Sequence, residues 1–132
     1  MKIKKLLSIA LVSFFIASCA TTTKFPVSDA APAADISVKK KKDNNNNYVV
    51  EVTAKNLAEA SRLNPPRSNY NVWIVTENGI TKNIGQLSNR NARTASLKTV
   101  TPFDVREIFI TAENQGDLSY PSGAEITRTT LK

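Results

Sequence analysis

The chain has no histidine and a single cysteine, Cys19, among its 132 residues. Without histidine the commonest general base is missing, and with it the Ser-His and Cys-His pairs that activate nucleophiles. Transition-metal sites lose their imidazole donors, and one thiol cannot build a thiolate cluster. A lone cysteine also excludes an internal disulfide, so stability has to come from packing. The acidic residues do not fill the gap. There is no Asp-x-Asp-x-Asp spacing for calcium. Glu107 and Glu113, six apart on one predicted strand, would share a face but lie about 20 Å from each other, beyond the reach of a two-carboxylate hydrolase. The expectation is a protein with no catalytic residue, no cofactor and no metal site; a remote hydrolase is the weakest alternative. A long apolar run is lacking as well: residues 6–16 fall well short of the roughly 20 that a membrane-spanning helix needs.

What the first nineteen residues do have is an order. Lys2, Lys4 and Lys5 precede the apolar run, and Ile16-Ala17-Ser18-Cys19 closes it, which is the layout of a secretory signal. The closing tetrad resembles the lipobox of bacterial lipoproteins. That resemblance implies a signal peptide over residues 1–18, cleavage before Cys19, and lipid attachment to the Cys19 thiol. Two or more acyl chains, at about 0.8 kcal/mol per buried CH₂, would hold the chain on a bilayer without a spanning segment. Ala20 follows in place of an acidic residue, which within that family implies the periplasmic face of an outer membrane.

The net charge of +7 comes from two places. Removing the three signal lysines leaves 15 basic against 11 acidic residues, and the lysine run 39–42 accounts for the whole remaining surplus. A nucleic-acid-binding domain shows a basic face with interleaved contact residues rather than one run on a balanced body, so no nucleic-acid partner is expected. The run reads as lysines on an exposed sheet edge, where they discourage edge-to-edge pairing; the alternative is attraction to anionic lipid.

Residues 19–35, with Pro26 and Pro32 and no helical or strand period, read as a lipidated cysteine and flexible tether that could extend to about 50 Å. From residue 36 to 132 the pattern is short runs rich in Val, Ile, Thr and aromatics. Alternation predicts strands over 36–40, 48–54, 70–76, 80–87, 94–100, 107–113 and 124–131. A short helical turn at 56–63, with Asn56 as its cap, ends at Pro65-Pro66. Asn78-Gly79 suits a type I′ hairpin turn. The strand over 70–76 carries large apolar groups on both faces and should be central. The fold class expected is an all-β, seven-stranded antiparallel immunoglobulin-like sandwich with little helix.

Trp73, Gly85 with Leu87, Glu113, Gly116 and Pro121-Ser122-Gly123 carry a second resemblance. Their order is similar to that in the extracytoplasmic C-terminal domain of anti-sigma-K-type factors. The family's cytoplasmic segment and membrane helix have no counterpart here, so the resemblance implies a sandwich used for sensing or interaction rather than sequestration of a sigma factor. Trp73 is expected in the core. Tyr120, on a loop between Gly116 and Gly123, is the candidate partner contact. Together these readings predict a lipid-anchored envelope protein that binds another envelope protein or a glycan. The alternative is a structural or assembly lipoprotein without a ligand.

Overall fold

The computed structural model describes residues 20–91 and 93–132; the signal segment, the lipobox and Cys19 lie outside them. Alternation becomes strand wherever one face has apolar residues to bury. Ile36 and Val38 on Asp35–Lys42 point inward, as do Val50, Val52 and Ala54 on Tyr48–Lys55. Numbered in chain order, the strands are β1 Thr21–Lys24, β2 Asp35–Lys42, β3 Tyr48–Lys55, β4 Asn69–Thr76, β5 Thr81–Gln86, β6 Ser88–Asn89, β7 Thr94–Thr101, β8 Val105–Glu113 and β9 Glu125–Thr130. They form two antiparallel sheets, one in the order β1-β2-β3-β7-β6 and the other β5-β4-β8-β9. The core lies between them, filled by Val38, Val50 and Val52 from the first sheet and Val72, Ile74, Ile108 and Ile110 from the second.

All seven predicted strands are present, the run at 70–76 central in its sheet as its two apolar faces require. Nine strands replace seven because two carry no apolar signal: β1 is Thr-Thr-Thr-Lys and β6 only two residues long. The tether expected at 19–35 is therefore corrected. Thr21–Lys24 pairs with β2 from Lys40 to Ser37, and Phe25, Ser28 and Ala31 behind it are buried. An edge strand needs only backbone partners, which a β-branched polar run supplies. Phe25→Ala is accordingly expected to cost about 3 kcal/mol, read as a lower urea midpoint; a tether residue would leave the midpoint unmoved.

The predicted edge position of the lysine run is corrected in part: β1 pairs with Lys39 and Lys40 and covers that edge, while Lys41 and Lys42 lie beyond its ladder and pair with β3. Lys40 points inward: its side chain is only 12% exposed and sits 3.2 Å from the Asp104 carboxylate. The predicted helix is a single 3-10 turn, Ala60–Arg62, and Asn56 takes a left-handed φ of 56° instead of capping it. At the β4–β5 hairpin only Gly79 has positive φ. Gly79 N–H donates to the Thr76 carbonyl (2.9 Å). This is a type I turn with a left-handed glycine after it rather than type I′.

The register fixes two ends. At one, here the near end, lie the β2–β3, β4–β5 and β7–β8 loops, together with Thr21, whose partner is Lys40. At the far end lie the β1–β2, β3–β4, β6–β7 and β8–β9 connections. No helix among the described residues is long and apolar enough to cross a membrane.

Candidate functional site

The second sheet has an outer face that water would ordinarily cover. Along β4 the odd residues Asn71, Trp73 and Val75 face outward, and on β8 Glu107, Phe109, Thr111 and Glu113 do the same. Trp73 and Phe109 are cross-strand partners with parallel rings, centroids 6.2 Å apart. The Arg128 guanidinium lies 4.0 Å over the Phe109 ring, held by Glu125 at 2.6 Å and Glu107 at 3.4 Å. Trp73 is nonetheless fully buried. It is buried as predicted, but outside the inter-sheet cluster, on a face that the β8–β9 loop, residues 114–124, folds back to meet.

Hydrogen bonds tie that loop down. Trp73 Nε1–H donates to Thr111 Oγ1 (2.8 Å), whose hydroxyl donates to Glu113 Oε1 (2.9 Å). The same carboxylate oxygen accepts the backbone N–H groups of Ser122 (3.0 Å) and Gly123 (2.9 Å), and Oε2 accepts the Ser122 hydroxyl (2.9 Å). Asn71 Nδ2 donates to the Gln115 carbonyl (2.8 Å), and Asn83 Nδ2 to the carbonyls of Gly116 (2.8 Å) and Leu118 (3.0 Å). Asn83 is aimed by a bulge in β5: the register shifts between Val72 and Trp73, and Gly85 N–H returns to Asn83 Oδ1 (2.9 Å). Gly85 sits at φ +133°, with Leu97 Cδ1 3.0 Å from where a Cβ would be. At Gly123 a Cβ would collide with the Ala112 carbonyl oxygen, so only glycine lets the loop close on the strand.

Glu113 is thus no solvated surface acid. Burial by itself would raise its pKa, but the bonds from Gly123 and Ser122 backbone and from the Thr111 and Ser122 hydroxyls outweigh it and hold the carboxyl below its ordinary value of 4.5. With both oxygens occupied by donors it works as a latch rather than a base. Nearby, Tyr70 donates its hydroxyl to the Ala58 carbonyl (2.6 Å), and burial pushes its pKa up to about 12. That bond pins the β3–β4 connection to the same end.

Trp73, Gly85, Glu113, Gly116, Ser122 and Gly123, scattered in sequence, therefore converge on one loop. Leu87 does not join them; its N–H bonds the Tyr70 carbonyl between strand ends. Tyr120 is carried on the latched loop with 73% of its surface exposed. Beside the latch a concavity of about 210 Å³ is lined by Arg67, Asn114, Gln115, Leu118 and Ser122. Asn71, Asn83 and Thr111 escaped the sequence reading; polar residues at outward positions flanking a tryptophan were the available signal. Cys19 lies outside the described residues, and no cluster of three or more Cys, Asp or Glu residues suited to a metal ion occurs among those described. No protein-family model, curated protein or solved structure matches this chain.

Proposed function

We propose that this chain is a lipid-anchored envelope protein whose non-catalytic sandwich is a binding module, presenting the β8–β9 loop to another envelope protein or a glycan. The observation that carries the reading is the latched loop itself. A binding loop gains affinity when it is ordered before the partner arrives. Here six hydrogen bonds, three accepted by Glu113 and three donated by Asn71 and Asn83, order a loop whose most prominent side chain, Tyr120, is itself exposed. The loop also springs from the far end, away from Thr21 and the anchor proposed at Cys19.

The immunoglobulin-like reading of the sandwich is supported by strand order. Leaving β1 aside, β2-β3-β7-β6 against β5-β4-β8-β9 follows the A-B-E-D and C′-C-F-G arrangement. Trp73 then falls on the strand that bears the buried tryptophan in such domains, although here it serves the outer face. The likeness to the anti-sigma-K-type extracytoplasmic domain is supported by the convergence of the residues that carry it. Lipidation and outer-membrane sorting rest on the lipobox and Ala20.

A photo-crosslinking residue at position 120, in cells carrying the full chain, tests the proposal. We expect a discrete, saturable adduct that the same residue at Glu77 does not give, in a protein that incorporates labelled palmitate and loses it with Cys19→Ala. Equal, diffuse labelling from both positions would favour a purely structural lipoprotein.

A further inference from the structure

The near end of the sandwich combines features that the loop site does not use. Three of the five large apolar residues exposed on the described surface lie there: Ile80 (51%), Val100 (57%) and Phe103 (40%). They belong to the β4–β5 hairpin, the end of β7 and the β7–β8 turn, so none is a stray from a core. Lys82 Nζ lies 4.7 Å over the Phe103 ring, an aromatic with a cation riding on it. Val100 pairs across the sheet with Val49, and Val49 with Lys41.

The charge is distributed along the same axis. The near end holds the four lysines of 39–42, Lys82, Lys98, Arg106, Arg128 and Lys132 against Asp43, Glu51, Glu77, Asp104 and Glu107. The remainder of residues 20–132 has equal numbers of basic and acidic groups, so the surplus sits at one end. The acids there are already engaged: Asp104 with Lys40, Glu77 with Arg106, Glu51 with Lys98, Glu107 with Arg128, and Asp43 with the amides of Asn45 and Asn47. Lys39, Lys41 and Lys82 have no carboxylate within 4.0 Å among the described residues.

Thr21 emerges at this end, and Cys19 stands two residues before it, within about 8 Å by chain geometry. We infer that the near end is a bilayer-docking face, which seats Ile80, Val100 and Phe103 at the headgroup boundary and Lys41 and Lys82 among anionic phospholipid headgroups. The inference rests on the proposed lipid anchor for its orientation. Apolar side chains rimmed by lysines suit an interface with acyl chains below and anionic phosphates around. Each such lysine strengthens attachment to an anionic surface about fivefold at moderate salt.

Phe103→Trp and Tyr120→Trp, each in the full lipidated chain, test it on vesicles of phosphatidylglycerol and brominated phosphatidylcholine. Emission from buried Trp73 is subtracted using the parent protein. The tryptophan at 103 should lose roughly half its emission to the bromine quencher, as a group sunk into the headgroup boundary would, and the one at 120 almost none. Lys41→Gln with Lys82→Gln should reverse much of that loss. Cosedimentation at 0.5 M salt, where surface attraction is screened to roughly a few ångströms, reads the anchor separately. A chain that cosediments while positions 103 and 120 are equally unquenched overturns the docking face and keeps the anchor. Quenching at 103 in low salt without cosedimentation at high salt overturns the anchor and keeps the face; absence of both overturns both.

Discussion

Glu113→Ala is expected to destabilise the domain by about 3 to 5 kcal/mol, a large part of the roughly 5 to 15 kcal/mol that a domain of this size has. Removing the carboxylate strands the amides of Ser122 and Gly123 and the hydroxyls of Thr111 and Ser122 with no acceptor, and takes the lid from Trp73. Glu113→Gln keeps the shape but weakens each bond and leaves its amide NH₂ facing donors, so a loss of about 2 kcal/mol is expected. The two variants also separate by pH. Because the folded carboxyl titrates below its ordinary value of 4.5, its contribution is present in full above that value and is lost as pH falls through the lower folded pKa. The native chain should therefore lose stability on acidification below about pH 5 more steeply than Glu113→Gln. Urea titrations at pH 7 and pH 4 measure this; parallel slopes for the two proteins would refute the latch.

Trp73→Ala should cost about 4 to 5 kcal/mol, at the upper end for a large-to-small change at a fully buried site. The loss has two parts that substitutions can separate. Trp73→Phe keeps much of the ring contact with Phe109 but removes the indole N–H that Thr111 accepts, and about 1 kcal/mol is expected for it. If the chain from Trp73 through Thr111 to Glu113 acts as one unit, Trp73→Phe and Glu113→Gln combined should cost measurably less than the sum of the single changes. Simple additivity would mean that the loop is held by independent contacts.

Much of this fold could be read from alternation, and the failures share a cause. Tyr70, Val72 and Ile74 against Trp73 and Val75 gave a central strand, because a period of two in large apolar residues has few other uses; with both faces apolar, alternation did not tell which face met the other sheet, and Trp73, expected in the core, lies on the outer one. Thr21–Lys24 gave nothing, since its role is carried by backbone groups that every residue possesses. The lysine run misled in part for the same reason: an edge strand invisible in sequence covers Lys39 and Lys40, on the edge where the lysines were expected. At the site, Trp73, Glu113, Gly116 and Pro121-Ser122-Gly123 stood out as residue types in order. Their convergence depends on a loop that doubles back over a sheet, and no local pattern encodes that. Glu113 shows the limit most plainly. Its spacing from Glu107 described the strand correctly, while its burial, its donors and its depressed pKa come from residues 9 and 10 positions further on.

The four residues of β1 acquire a mechanical meaning from where they lie. β1 begins at the near end and runs antiparallel along β2 toward the far end. Tension applied through the residues ahead of Thr21 consequently acts along the strand axis and loads the Thr21–Lys24 ladder in shear, so its bonds resist together instead of peeling in turn. Phe25, anchored in the core just behind, takes up that load before it reaches the latched loop, which is thereby insulated from tugging at the opposite end.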